Sequence, residues 1–591
     1  MPLETTSRIV AELADRGYNA EREAVTLIAN AGDPDATLED VVETAPEDAL
    51  RITADHVRSV TSSDPSVSTR TTADPSGESE RRSPVETKGS THGDKVDPEA
   101  DRETDEFDRG REGTSIGSPG EGRTTDTASD RDSAPPGGRT VSAESPASST
   151  DGPGPTTDGP DTATEGPNAS TEAPNTPTER STSTERSAPV ERAIEIADDM
   201  TGRSTGTGEY ADFVRTFRDR YERLSRLLGG RVNHRPASAI ADMPGGSDAA
   251  MIGLVNDVRS TKSGHWLVEL EDTTGTFPAL IMKDKGIADL VDEILLDECL
   301  AIDGTLSDDA GILFADSVHF PDVPRTFQPS FADRQVQAAL ISDVHVGSQE
   351  FMRDAWQSFS SWLHTEEAEA IEYLLIAGDM VEGVGVYPDQ DEELDIVDIY
   401  EQYERFSEHL KEVPADLEVV MIPGNHDAVR LAEPQPAFDE ELRGIMSAHD
   451  SRIVSNPAMV TVENVSVLMY HGVSLDEVIA ELPAEKASYD EPHRAMYQLL
   501  KKRHVAPQFG GHTRVAPEER DHLVIENVPE VFHTGHVHKL GWGKYHNVLA
   551  VNSGCWQAQT DFQRSVNIDP DAGFAPVLDL DTLEMTVHKF S

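Results

Sequence analysis

Five short blocks carry residues that could do chemistry: Asp343-Val-His345, Gly378-Asp379, Gly424-Asn425-His426-Asp427, His471-Gly472 and Gly535-His536-Val-His538. They supply carboxylate, amide and imidazole, the donor types that suit hard and borderline divalent ions. A pair of such ions lowers the pKa of water and neutralises phosphoryl charge, which is the equipment for hydrolysing a phosphate ester. Asp343, His345, Asp379 and His538 are expected to hold one ion. Asp379 then bridges to a second, held also by Asn425, His471 and His536. His426 is left free to act as general acid or to stabilise the transition state as the leaving oxygen departs. Asp427 is expected to orient His426 or to cap a following helix. His533 and Glu382 are expected to stand behind the ligands. A lone Asp-x-His or Gly-Asp would mean little, because surface acids and core histidines are common. The ordered set carries the argument.

The elements that must position these residues follow from hydrophobic patterning. Val336–Ile341, Tyr373–Ile376, Leu417–Ile422 and Val465–Tyr470 are short, apolar, β-rich runs, and four of the five blocks directly follow such a run. A fifth strand, Val531-Phe532, can start only after Pro529. Amphipathic helices at Phe351–Leu363 and Ile399–Leu410 separate some of them. Open α/β sheets place ligand sites at the carboxyl ends of their strands, so residues 329–591 read as an α/β catalytic domain. Upstream, 241–328 alternates in strand fashion through Met251–Val255, Trp266–Leu270, Phe277–Ile281, Leu300–Ile302 and Ile312–Phe314. A helical stretch, Ile287–Leu296, lies between the third and fourth runs. That order suggests an OB-type barrel, read as a scaffold because few aromatics or cations are placed to grip a single strand. Residues 189–240 form a helical segment, with a helix over Tyr210–Leu228. Phe213, Phe217, Tyr221, Leu224 and Leu228 share one face of it, and Arg215, Arg218, Arg220, Arg223 and Arg226 are expected on a solvated face. Residues 1–60 form a small helical module suited to docking. Residues 61–188, rich in Ser, Thr, Pro, Gly and acids, cannot bury enough surface to fold and read as a disordered linker.

Composition bounds the setting. The 591 residues exceed one core, and 110 Asp+Glu against 50 Lys+Arg give a formal net charge of -60. The acid excess runs along the whole chain with little Lys and only 6% aromatics, a composition suited to molar cytoplasmic salt. At roughly 3 Å of Debye length, net charge then says little about partners. Cys299 and Cys555 cannot form a disulfide framework and are expected to be reduced and buried. No apolar run approaches the roughly 20 residues of a membrane span, so a cytoplasmic protein with no membrane contact is expected.

The wording around the blocks is narrower than the ligands require. The five blocks in this order resemble the calcineurin-like metallophosphoesterase superfamily. Gly378-Asp-Met-Val-Glu-Gly-Val-Gly-Val-Tyr-Pro388, Ile422-Pro-Gly-Asn-His-Asp-Ala-Val-Arg-Leu-Ala-Glu-Pro-Gln-Pro436, Tyr470-His-Gly-Val-Ser474 and His533-Thr-Gly-His-Val-His-Lys539, followed by Asn552-Ser-Gly-Cys-Trp-Gln-Ala-Gln-Thr560, are similar to the small subunits of archaeal family-D replicative DNA polymerases. The resemblance is strong over 336–591, one of arrangement over the barrel and helix 210–228, and absent over the linker. It implies an α/β metallophosphoesterase sandwich and a large catalytic polymerase subunit as partner. It implies a 3′–5′ proofreading exonuclease acting on single-stranded 3′ ends of primer-template DNA. The metals it implies are two divalent ions, usually manganese, with magnesium as the alternative. Tyr387, on the loop after Asp379, could then stack on a 3′-terminal base or pack on the core. Met380 and Glu382 depart from the pattern in a region where the family varies. The competing readings are a repair-type nuclease or phosphoesterase on the same fold, and a catalytically silent structural subunit.

Overall fold

The strand Gln337–Ile341 shows how the core is made. Ala338 and Leu340 point to one side and Ala339 and Ile341 to the other, and all four are fully buried. A near-continuous apolar run of this kind belongs to a strand covered on both faces. It sits in a six-stranded sheet ordered Arg452–Ile453, Glu418–Ile422, Ile371–Ala377, Gln337–Ile341, Phe574–Asp579, Glu584–Lys589. The first four strands run parallel, and the last two are added antiparallel. A second six-stranded sheet is ordered Leu540–Tyr545, Val548–Ser553, Val531–Thr534, Val465–Met469, Ala458–Val462, Ile194–Ala197. Leu340, Leu375 and Val420 of the first sheet meet Val467, Val531 and Val551 of the second in a shared core. Helices Arg353–Leu363 and Ile399–Lys411 cover the first sheet's outer face through Trp356, Phe359 and Phe406. Helices Ser474–Glu481 and Pro492–Lys502 cover the second through Leu475, Met496 and Leu499. Each of these large side chains contributes about 1.5–3 kcal/mol by leaving water. The result is four layers, helix, sheet, sheet, helix.

This computed structural model describes residues 3–46, 49–61, 192, 194–197, 199–204, 208–388, 390–449, 451–565 and 567–591. The linker expected over 61–188 lies outside them, apart from Thr61. Residues 3–61 form four helices, Leu3–Asp15, Arg22–Ala29, Pro34–Thr44 and Ala54–Thr61, with a two-residue parallel strand pair between Asn19–Ala20 and Arg51–Ile52. This module docks on the α/β layers. Asn19 Nδ2 donates to Lys411 O at 2.9 Å and Val413 O at 2.7 Å, and Arg22 Nη1 donates to Glu369 O at 2.9 Å.

The five runs expected over 241–328 close into a barrel, ordered Asp248–Ser260, Trp266–Asp272, Gly275–Ile281, Leu313–His319, Cys299–Leu306. A 3₁₀ helix, Gly286–Glu293, occupies the predicted helical stretch. Buried Lys502 ties the barrel to the outer helix layer, donating to Glu293 O at 2.8 Å and lying 3.3 Å from Glu298. Both cysteines are free and buried. Among the described residues no helix is long and apolar enough to cross a membrane.

Two expectations are corrected. The segment 189–240 is not helical throughout, because Ile194–Ala197 adds an edge strand antiparallel to Ala458–Val462. Four residues are too few for a period to show. The helix Tyr210–Leu228 forms as predicted, but its arginines do not share a solvated face. Arg220 is 0% exposed and donates through Nε to Asp521 at 2.7 Å and through Nη1 to Pro507 O at 2.6 Å. Arg223, also buried, donates to Asp521 O at 2.6 Å. The acid that buries them comes from a distant part of the chain, which helical periodicity cannot see.

Candidate metal centre

The ligand candidates gather because their strands end side by side. Asp343 follows Gln337–Ile341, Asp379 follows Ile371–Ala377, Asn425 follows Glu418–Ile422, and His471 follows Val465–Met469. His536 and His538 leave Val531–Thr534. Each block then turns sharply. Asp343, His345, Asp379, His536 and His538 all have positive φ, at 53°, 55°, 53°, 69° and 53°. That conformation is uncommon without glycine and costs about 1–3 kcal/mol per residue, a strain that gathers at functional sites. Two glycines permit the close approach of neighbouring loops. A Cβ on Gly424 would fall 2.2 Å from Asp379 Oδ1, and one on Gly535 would fall 2.2 Å from Asp343 Oδ2.

Three groups of metal-capable side chains result among the described residues: Asp343, His345 and His538; Asp379, His471 and His536; and His345, Glu382 and His426. The first two hold the predicted ligands. In the first, His345 Nε2 lies 3.0 Å from His538 Nε2, and His538 Nε2 lies 3.5 Å from Asp343 Oδ1. In the second, His471 Nε2 lies 3.1 Å from Asp379 Oδ2 and 3.0 Å from Asn425 Oδ1, with His536 beside Asp379 and His471. Asp379 Oδ2 also lies 3.8 Å from His345 Nε2, so it faces both clusters.

The donor–acceptor count tests whether these residues fit a cation. His471 donates its Nδ1–H to Ala377 O at 2.9 Å, so a neutral ring turns the lone pair of Nε2 toward two oxygens. With that ring neutral, three acceptors converge, and either a proton on Nε2 or a bound cation must lie between them. Ligands about 2.0–2.1 Å from an octahedral ion stand about 3 Å apart, the spacing found here. The ring partners agree with this reading. His536 Nε2 is 3.1 Å from Asp476 Oδ2, and His345 Nδ1 is 2.9 Å from Glu382 Oε2, leaving the other nitrogen of each ring for the cluster. Behind His538, the Gln563 amide lies 3.0 Å from Nδ1. Gln563 Oε1 is taken by Thr560 N, so its Nε2 is the atom that faces Nδ1.

Without an ion the electrostatics favour protons in the clusters, which a bound cation would displace. Burial opposes charge on every group, yet proximity prevails at most of them. Asp379 and Asp343 outweigh burial at His471 and raise it to about 10. Glu382, Asp379 and Asp343 do the same at His345, raising it to about 9. Asp379 is held well below the usual carboxylate range against its burial by His471, His426 and His345. Glu382 is lowered to about 2 despite burial, chiefly by His345. Asp427 goes the other way, pushed up to about 7 by burial and by Asp379.

The remaining predicted residues take distinct places. His426 donates Nδ1–H to Glu382 O at 2.7 Å and its backbone N–H to Asp379 Oδ1 at 2.8 Å, and its ring lines the cleft. Asp427 neither orients that ring nor caps a helix. Its carboxylate accepts from Gly424 N at 2.8 Å and Tyr403 Oη at 2.9 Å, and so holds the turn that carries Asn425 and His426. His533 is buried behind the ligands, 3.1 Å from Ser553 Oγ, and burial lowers it to about 3. Tyr387 places its hydroxyl 3.2 Å from Glu382 Oε1 and 3.4 Å from Glu393 Oε2. Sequence reasoning missed Asp476, Gln557 and Gln563. Gln557 donates to Glu382 Oε2 at 2.7 Å. Asp476 had a signal, since it opens a helix five residues after His471. Gln557 lay within the Asn552–Thr560 wording but belongs to no metal-ligand pattern, and Gln563 had no signal.

Comparison with known proteins adds an independent finding. The DNA polymerase alpha/epsilon B-subunit family matches residues 338–539. The "DNA polymerase II small subunit" of Halobacterium salinarum is 58% identical over 591 residues, covering 100% of both chains. The protein of that description from Archaeoglobus fulgidus is 42% identical over 64% of this chain and 78% of its own. The one from Methanocaldococcus jannaschii is 37% identical over 66% and 68%.

Proposed function

The chain belongs to the archaeal DNA polymerase II small-subunit family, and from that premise we propose that it is the 3′–5′ proofreading exonuclease of the polymerase. The observation that carries this reading is the pair of buried Asp/His clusters at the strand ends, with Asp379 facing both. The α/β layers are read as a metallophosphoesterase sandwich and the closed barrel as an OB-type scaffold. The proposed domains are 1–60, 241–328 and 329–591, with the segment 189–240 and the linker 61–188 between them.

In this reading Asp343, His345, Asp379 and His538 hold one divalent ion, and Asp379, Asn425, His471 and His536 hold the other. Manganese is the first choice and magnesium the second. When bound, the ions lower the pKa of water and neutralise phosphoryl charge. Glu382, Asp476 and Gln563 fix the rings of His345, His536 and His538, as partners behind metal-binding histidines do. His426, locked at Nδ1 by Glu382 O, has Nε2 as the atom that exchanges a proton with the departing 3′ oxygen. The substrate is the single-stranded 3′ end of a primer, and the partner is the large catalytic subunit, in the cytoplasm. The test is digestion of a 3′-mismatched primer with manganese in high KCl, alone and with the large subunit. Release of mononucleotides by the wild type, lost in Asp379→Ala and His426→Ala with folding retained, supports the reading. An inactive wild type under both conditions overturns it.

A further inference from the structure

The cleft above the clusters is lined by His345, Asp379, His426, His536 and His538 on its floor and by Tyr387 and Phe562 on one wall. Among the described residues lining it there is no Lys or Arg. A nucleic-acid strand entering here therefore finds no Lys or Arg to hold its phosphates, only the histidines of the floor and whatever the clusters bind. Molar salt would in any case screen such contacts and weaken binding that rests on counterion release. Grip in this cleft must come from a contact that salt does not screen.

Phe562 offers one. Its ring is 47% exposed at the cleft, an uncommon place for a large apolar side chain. It is not a loose surface residue. It stacks on Tyr387, with centroids 5.2 Å apart and planes 23° from parallel. Tyr387 is itself pinned through its hydroxyl by Glu382 and Glu393. The turn that carries Phe562 is fixed as well. Thr560 Oγ1 accepts from Gln563 N at 3.1 Å, while Gln563 Oε1 accepts from Thr560 N at 3.2 Å. The same Gln563 side chain reaches His538 Nδ1 at 3.0 Å. Phe562 is thus registered to the clusters through one side chain, and its inner face is covered by Tyr387 while the ring remains half open.

We propose that Phe562, backed by Tyr387, is the platform on which the unpaired 3′-terminal nucleobase stacks. This rests on the reading of the cleft as a phosphodiester-cleaving site and specifies how that site selects a frayed end. A paired base must first break its pair and leave its stack to enter the cleft as a single strand, whereas an unpaired one need not. Every base has a π-face, so the contact serves all four mismatched bases alike. Tyr387 supports this platform and is not itself the stacking surface.

The test uses the full-length chain in high KCl. Binding of a single-stranded oligonucleotide with an intact 3′ end is compared with binding of the same strand ending in an abasic residue. Binding is read by fluorescence anisotropy in EDTA, and excision is read with manganese. The expected preference for the intact end is about 5- to 100-fold, the range of one base–aromatic stack. Phe562→Ala is expected to abolish that preference by weakening the intact end alone, and Phe562→Trp to restore it. A preference unchanged in Phe562→Ala overturns the platform, whatever excision does. A wild type that shows the binding preference but no excision, either alone or with the large subunit, supports the platform and overturns the nuclease reading.

Discussion

Two buried polar clusters in this protein look alike in composition and differ in bookkeeping. At the joint between the helix Tyr210–Leu228 and the α/β layers, Asp521 accepts from Arg220 Nε at 2.7 Å, lies 3.0 Å from His504 Nε2, and accepts from Leu523 N at 3.1 Å. His504 Nδ1 accepts from Ala506 N at 3.1 Å, so the proton that faces Asp521 is on Nε2. Every contact there pairs a donor with an acceptor. At the strand ends, His471 Nε2, Asp379 Oδ2 and Asn425 Oδ1 face one another, and only a proton on Nε2 or a cation can sit between them. The same residue types thus make a joint tied by a fixed cation in one place and a candidate cation site in the other. Burial does not separate the two; the Arg220 guanidinium at the joint does, with no Lys or Arg among the described residues in the matching place at the strand ends.

Perturbing each cluster separately should give opposite signatures. The largest effect is expected from His426→Ala, which removes the ring proposed to exchange the proton and leaves every proposed ligand residue in the chain. Excision should fall by about 10²- to 10⁴-fold, with manganese-induced thermal stabilisation retained in a melting experiment. Next, Arg220→Ala leaves Asp521 buried without its cation and should cost about 3–5 kcal/mol in denaturant unfolding. Manganese affinity of the folded protein should be unchanged. Asp476→Ala frees the His536 ring and should weaken manganese binding by about 10- to 100-fold in a titration, with little change in unfolding without metal. The smallest effect is acid sensitivity at the joint. Burial and Arg220 lower His504 to about 4, so its neutral form is the one the fold prefers. Stability from this group is therefore fully present above the unfolded value near 6.5 and is lost as pH falls toward 4. Between pH 7 and pH 5.5 the loss should be about 1 kcal/mol, and His504→Gln should flatten that part of the profile.

What the sequence made legible was local. Each ligand block sits at the end of a strand that its own apolar residues announce, so both the strands and the candidate ligands could be read together. The long helix Tyr210–Leu228 was equally plain from its period. What escaped reading depends on segments far apart in the chain. Arg220 and Arg223 are buried because Asp521 and Glu526 return to them. Ile194–Ala197 becomes a strand only because Ala458–Val462 offers an edge. Asp427 looked like a partner for its neighbour His426, but the nearer demand came from Gly424 N and from Tyr403 on a covering helix. Phe562 gave no signal at all, because an exposed aromatic means something only once Tyr387 and His538 are seen beside it.

The central claim is that the strand-end clusters are a two-cation site. Its most direct test is calorimetric titration of manganese into the full-length protein in molar KCl, where adventitious binding to surface acids is screened, with Asp379→Ala as the comparison. The account predicts two ions bound per wild-type chain, with both affinities reduced in Asp379→Ala. Equal binding by the two proteins, or none by the wild type, would contradict it.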